Sequence, residues 1–438
     1  MNILIQNGRV IDPASGFDHT ADVAVADGLI VGIAKSGEKL PANFKAEQTI
    51  DAKGCIVAPG LVDLQVRLRE PGYEHEGMLA SELTAAVAGG VTSLVCPPDT
   101  DPVLDEPGLI EMLKFRAEKL HRARVFPLGA LTRGLKGEVL TEMSDLTDAG
   151  CVGFSQAEVP LENTQVLQRA LQYASTYGYT VWLRPQEMHL GKGVAASGPL
   201  ATRLGLSGVP VAAETIALHT IFALMRSTKA RVHLCRISSA EGVELVRAAK
   251  KEGLAVTADV SINSLHLSDH DIGYFDSRAR VTPVLRQQRD RDALRAALAD
   301  GTLDALVSDH MPVDNDGKAL PFAEAESGAT GLELLLSLSL KWANDSQVGL
   351  LRALDVLTAQ PAKVLGKIAG QSESIGQLHV GGVADLVVFD PAAEWHVTPD
   401  ALHSQGKHTP FAFDMTGMSL PARVKATLVA GHVAYQAD

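Results

Sequence analysis

Apolar positions along this chain follow two rhythms. From residue 1 to about 55 they alternate in short runs broken by turns. Ile3, Ile5 and Val10 lie about Asn7-Gly8, and the run 24–33 is interrupted by Asp27-Gly28, a pair suited to the left-handed backbone of a two-residue hairpin. The same rhythm returns from about 366, in ADLVVFD (384–390) and VKATLVAGHVAYQ (424–436). Two β-rich ends around a long middle predict that both termini build one small β-sandwich.

The middle alternates differently. Short apolar runs recur at 60–68, 91–98, 124–131, 151–155, 180–185, 231–238, 255–262 and 304–310. Most gaps hold helix-period segments, such as 77–90, 164–178 and 240–253. Strands alternating with helices predict the α/β class and a (β/α)8 TIM-like barrel. The expected division is 1–55 for the first part of the sandwich, 56–365 for the barrel and 366–438 for the second part of the sandwich. The glycine-rich stretches GKGVAASG (191–198) and GLSGV (205–209) lack a phosphate-loop pattern and read as flexible barrel loops, as does DNDGK (314–318).

Composition narrows the picture. The 438 residues are 46% hydrophobic and 21% charged, which suits a folded chain, and the net charge of −13 argues against nonspecific binding to nucleic acid or anionic membranes. No uninterrupted apolar stretch of about 18 residues occurs, so no membrane helix is expected. The N-terminal run MNILIQNGRVIDPASG has no basic region leading into an apolar one, so no secretory leader is expected. Cys55, Cys96, Cys151 and Cys235 form no close pair and are expected as buried thiols in a reducing cytoplasm.

In a barrel of this kind chemistry sits at the C-terminal ends of the strands. There the sequence offers Gln65, Arg67 and Arg69, then Gln156, Arg184, Arg236 and Asp309. A divalent metal needs imidazole nitrogens or carboxylate oxygens. Arginine is permanently cationic and has no lone pair to give. Inward-facing cations need partners, and Asp309 is the expected one. His266 and His270 are spaced to share a helix face, a weak metal signal. His75, His189, His219 and His233 show no convergent partners.

The run PGLVDLQVRLREPG (59–72) resembles the first-strand signature of the bacterial dihydroorotases, within the cyclic amidohydrolases: Asp-x-His-x-His-Leu-Arg-Glu-Pro-Gly. GGVTSLVCPPDTDPVLDEP (89–107), RVTPVLR (280–286), VSDHMP (307–312), GATGLELLLSLSL (328–340), GGVADLVVFDP (381–391) and SQGKHTPF (404–411) are similar to further family segments, so the resemblance covers nearly the whole chain. It implies that the metal-ligand positions are Gln65, Arg67, Gln156, Arg184 and Arg236, all degenerate, with Asp309 alone retained, as a vestigial catalytic residue. The carboxylate-binding arginine is retained as Arg69, also vestigial. Other substrate positions are changed, to Asp99, Thr282 and Val313. Where the family carries a His-His pair, this chain has Asn263-Ser264.

The resemblance therefore implies a pseudoenzyme without the family's zinc. The pattern is similar to the dihydroorotase-like proteins that accompany aspartate carbamoyltransferase in some bacteria. That implies a structural, non-catalytic role in pyrimidine biosynthesis, with the transferase as partner, a homodimeric base unit, and neither nucleic acid nor membrane. Two other functions stay open: an active dihydroorotase or related cyclic-amide hydrolase with a rebuilt site, and an anion-binding regulator using the arginine-lined mouth. The arginines either pair with Asp309, bind an anion together with Arg69, or swing to solvent. Asp309-His310 reads as an acid–base pair or as a relic of the family motif.

Overall fold

The computed structural model describes residues 2–366, 374–412 and 417–437. Each of the eight apolar runs contains a strand segment, and the segments pair in chain order and in parallel. One sheet joins Leu61–Asp63, Val91–Cys96 and Arg124–Pro127. A second joins Gly129–Ala130, Phe154–Ser155, Thr180–Leu183, Arg231–Leu234, Val256–Ser261 and Ala305–Val307. Leu128 carries the chain from the first sheet to the second, its N–H donating to the Cys96 carbonyl. At the other seam a parallel bridge links Val66 to His310, and Arg67 N–H donates to His310 O at 2.9 Å. All six residues of Val91–Cys96 are buried, as the continuous apolar run of a parallel strand requires.

The intervening helices follow their sequence signals. In Thr164–Tyr177 the Asn163 side chain accepts from Gln165 N, and Gly178 ends the helix at φ 76°. Its residues Val166, Leu167, Ala170, Leu171 and Ala174 form the buried stripe. Ala240–Glu252 is capped by Ser239 and ended by Gly253 at φ 90°, with Lys250 and Lys251 in the last turn, where the helix dipole favours cations. Among the described residues no helix is long and apolar enough to cross a membrane.

Both ends of the chain meet in one eight-stranded sheet. Its order is His432–Gln436, Ser419–Val429, Leu386–His396, Ile56–Pro59, Ile3–Asp12, Phe17–Ala26 and Leu29–Lys35, with Gln48–Asp51 added to Ile3–Asp12. The hairpin at Asp27-Gly28 forms as expected, with φ of 52° and 80°. This sheet has its own core of Ile3, Ile5, Val10, Val23, Val57, Leu386 and Leu428. Strand Ile56–Pro59 pairs within it, so the change of architecture comes a few residues after the expected 55. The later boundary, expected near 366, abuts residues 367–373, which lie outside the described ones.

Three local readings need correction. The glycine-rich stretches are not independent loops: Ala195–Ala196 pairs in parallel with Gly208–Val209. Residues Asn315–Ala319 form a short helix, because the Asp314 carboxylate accepts from Gly317 N and caps it. His266 and His270 share no helix face, since the helix Ile262–His266 ends between them.

Candidate functional site

Arg67, Arg184 and Arg236 converge, but not chiefly on Asp309. Their common partner is Glu158, a residue the sequence reading passed over. Arg67 donates from Nε to Asp99 Oδ2 and from Nη2 to Glu158 Oε1, each at 2.9 Å. Arg236 donates to Asp309 Oδ1 at 2.9 Å, to the Thr282 carbonyl at 3.2 Å, and to Glu158. Arg184 Nε lies 3.1 Å from Glu158 Oε2 as an ion pair without an aligned hydrogen bond. The expected pairing with Asp309 thus holds for Arg236 alone.

The chain reaches this geometry by leaving regular strand conformation. Arg69, Ala157, Arg236 and Asp309 have φ of 65°, 50°, 58° and 51°. A left-handed backbone costs a non-glycine residue about 1–2 kcal/mol, so the site must over-determine it. The turn at Ala157 separates two neighbours. Gln156 accepts from Thr132 Oγ1 at 3.0 Å and donates to Leu135 O at 2.8 Å, whereas Glu158 serves the arginines. The carboxylate at the site thus stands at 158, two residues beyond the position the resemblance implied. The signal in the sequence was charge balance: three inward guanidiniums could not be satisfied by one aspartate.

Electrostatics follow from the pairing. Burial pushes the Glu158 carboxyl up, but Arg236, Arg184 and Arg67 outweigh it and hold the group well below the usual carboxylate range. Burial lowers Arg67 and Arg236 less than their carboxylates raise them. At Asp309 burial wins over Arg236 and Arg67, and Glu158 adds repulsion, so its carboxyl sits above its ordinary value.

The remaining positions are also committed. Gln65 is buried, and its N–H donates to Asp63 Oδ1 at 3.2 Å. Arg69 is held by Glu76 at 2.7 Å and by the Pro312 carbonyl at 2.9 Å. Burial and the neighbouring Glu326 raise the Glu76 carboxyl to about 7 despite Arg69. His310 bonds not to Asp309 but to Glu82, 2.8 Å from Nε2, while its Nδ1 accepts from Gly331 N at 3.2 Å. Glu82 also accepts from Ser404 Oγ and Gln405 N, so His310 ties the eighth strand end to the C-terminal segment. This is the structural role rather than the acid–base one.

These residues do not fit the divalent ion that the family resemblance implies. The guanidiniums of Arg67 and Arg236 occupy the converging positions, and the oxygens of Asp309 and Glu158 accept hydrogen bonds from them. Among the described residues one other group has metal-ligand spacing: His233, Cys235 and Asp259, with ligand atoms within 4.8 Å of one another. His233, expected to lack partners, takes Asp259 Oδ2 on Nε2 and Thr257 Oγ1 on Nδ1, both at 2.8 Å. Both ring nitrogens are used, and burial pushes the Cys235 thiol well up, so the group reads as a satisfied structural cluster. The four cysteines are buried and unpaired with one another.

Comparison with known proteins places this geometry in context. A family model described as Dihydro-orotase-like matches residues 54–242, and one described as the Amidohydrolase family matches residues 209–434. A dihydroorotase-like protein of Pseudomonas aeruginosa is 43% identical over 437 residues, covering 100% of each chain. A protein named dihydroorotase from Geobacter sp. is 40% identical, again over 100% of each chain. Among solved structures, L-hydantoinase (dihydropyrimidinase) from Arthrobacter aurescens superposes with a TM-score of 0.86 at 24% identity, covering 99% of this chain and 96% of its own. Dihydropyrimidinase from Brevibacillus agri gives 0.82 at 20%, covering 100% and 95%. At those identities the structural likeness speaks for the fold alone.

Proposed function

The chain belongs to the dihydroorotase-like amidohydrolase family, and from that premise we propose that it is a non-catalytic member, a structural subunit of aspartate carbamoyltransferase in pyrimidine biosynthesis. One observation carries the non-catalytic part: Arg67, Arg184 and Arg236 gather on Glu158 and Asp309 at the positions where the family's metal ligands stand. Water is a poor nucleophile near neutral pH unless a metal or base activates it. Asp309 accepts from Arg236, and in this reading the protein holds no zinc. Arg69, the family's carboxylate ligand, is neutralised by Glu76.

The transferase role rests on the resemblance of this altered site to dihydroorotase-like proteins encoded beside that enzyme. We read the parallel segments as a closed (β/α)8 barrel, sealed at the Val66–His310 bridge, over residues 56–365. The terminal sheet is read as the small β-sandwich domain. The protein is assigned to the cytoplasm as a homodimer.

A second reading, an active cyclic-amide hydrolase, is favoured by the name dihydroorotase on the Geobacter relative and by the retained Asp309. Metal content by plasma mass spectrometry on untagged protein, with dihydroorotate hydrolysis assayed on the same sample, separates the two. Metal well below one per chain, no turnover and co-purification with the transferase are expected. Near one metal per chain with turnover would replace this reading by the second.

A further inference from the structure

The arginine cluster opens on a cavity of about 350 Å³. Five cationic side chains line it: Arg184, Lys192, Arg236, Arg280 and Arg286. The carboxylates on its wall, Glu158 and Glu214, are already committed. Glu158 serves the three arginines, and Glu214 accepts from the N–H and hydroxyl groups of Ser238 and Ser239. The wall is therefore in positive excess.

That excess is unevenly satisfied. Arg236 has two carboxylates. Arg286 donates to Ser238 Oγ at 2.8 Å and to the Val209 carbonyl at 3.3 Å. Arg280 has no carboxylate within ion-pair reach among the described residues, and its Nε is buried without an acceptor. Burial alone holds its guanidinium below the ordinary range. Arg184 Nε also lacks an aligned acceptor, and there burial outweighs Glu158. On the same wall Gln186 Oε1 is buried with no donor, its Nε2 being used by the Gly191 carbonyl at 3.2 Å. Buried donors and acceptors are ordinarily paired, so this wall can take up a complementary group. That group would present anionic oxygens to Arg184 and Arg280 and one hydrogen-bond donor to Gln186.

We propose that this cavity binds a compact dianionic oxyanion carrying one O–H or N–H donor, of which hydrogen phosphate is the simplest case. Arg280 and Arg184 hold its oxygens, Gln186 accepts its donor, and Lys192 stands at the rim. Arg69, paired with Glu76, is not part of the cavity's lining. The site does not depend on association with a transferase.

The test is calorimetric titration and thermal shift in a phosphate-free buffer at constant ionic strength, using inorganic phosphate, malonate and chloride. Saturable stabilisation by phosphate is expected, with weaker binding of malonate, which has no donor for Gln186. Arg280→Gln should weaken phosphate by roughly tenfold, as for one lost charge-assisted hydrogen bond. The Arg280 backbone carbonyl that accepts from Lys318 is untouched by that change, and circular dichroism checks the fold. Lys192→Ala, at the exposed rim, should give a smaller loss in the same direction. An equal effect of chloride, or phosphate binding unaltered by both variants, would overturn the site. Malonate binding as tightly as phosphate would overturn the role given to Gln186.

Discussion

The arginine cluster at the strand ends and the histidine–carboxylate pairs His233–Asp259 and His310–Glu82 are both buried in the same part of the fold, yet they meet burial differently. In the first, Arg67, Arg184 and Arg236 are permanent cations, so each needs carboxylate charge, and Glu158 is shared among all three. In the second, hydrogen bonds between neighbouring polar groups do the satisfying. His233 lies between Thr257 and Asp259, His310 uses both ring nitrogens, and burial raises the Asp63 carboxyl to about 7 despite its bonds to Ser308 and Gln65. A network of fixed charges fails when one shared partner is removed, because the remaining charges cannot neutralise. Where burial has raised a carboxyl, as at Asp63, stability instead varies with pH.

The largest break should come from Glu158→Gln. Three guanidiniums lose their common negative charge, and one of its two acceptor oxygens becomes an NH2 facing them, so a loss of about 3–5 kcal/mol is expected in chemical denaturation. An unchanged midpoint would mean that the arginines are satisfied by solvent. Next is His310→Ala, which leaves Glu82 and the amides of Gly331 and Leu332 short of a partner. About 2–3 kcal/mol should be lost, and limited proteolysis should find the segment around Ser404 loosened. Asp309→Asn should cost less, about 1–2 kcal/mol, because the amide oxygen still accepts from Arg236 and Glu158 still neutralises it. If it costs more than Glu158→Gln, Asp309 and not Glu158 is the principal partner.

The smallest effect is one of slope. Asp63 binds its proton more tightly folded than unfolded, so its contribution to stability is full below about pH 4 and is lost as pH rises through about 7. Glu158 has the opposite sign: its contribution is kept above its unfolded value and lost as the solution is acidified through its lowered folded value. Asp63→Asn should therefore flatten the decline in melting temperature between about pH 4 and 7, leaving the parts due to Glu76, which also sits at about 7, and to Asp309, whose carboxyl is also raised. An unaltered slope would show that Asp63 is ionised in the fold.

Much of this was legible along the chain. The eight apolar runs each yielded a strand segment, because a strand buried on both faces must be apolar throughout and bounded by turns. Arg67, Arg184, Arg236 and Asp309 were found because they stand at strand ends, where register is short-range. Glu158 and Glu76 were not. Each follows an irregular turn, after Ala157 and after the left-handed Arg69, where neither period tells which way a side chain goes. His233 seemed solitary because its partners Thr257 and Asp259 belong to the next strand, more than twenty residues on.

The sequence by itself determined the order of the elements, the shared sheet of the two termini, and that five strand-end positions carry glutamine or arginine. Those follow from periodicity, turn chemistry and residue type, all local. Only the tertiary structure decided which carboxylate pairs with which arginine, that Arg69 is occupied by Glu76, and that Arg280 lines a cavity with no carboxylate in ion-pair reach among the described residues. Ion pairing depends on distances of about 3–4 Å between groups that stand 91 or 78 residues apart, as Arg67 and Arg236 do from Glu158, and no one-dimensional period encodes such distances.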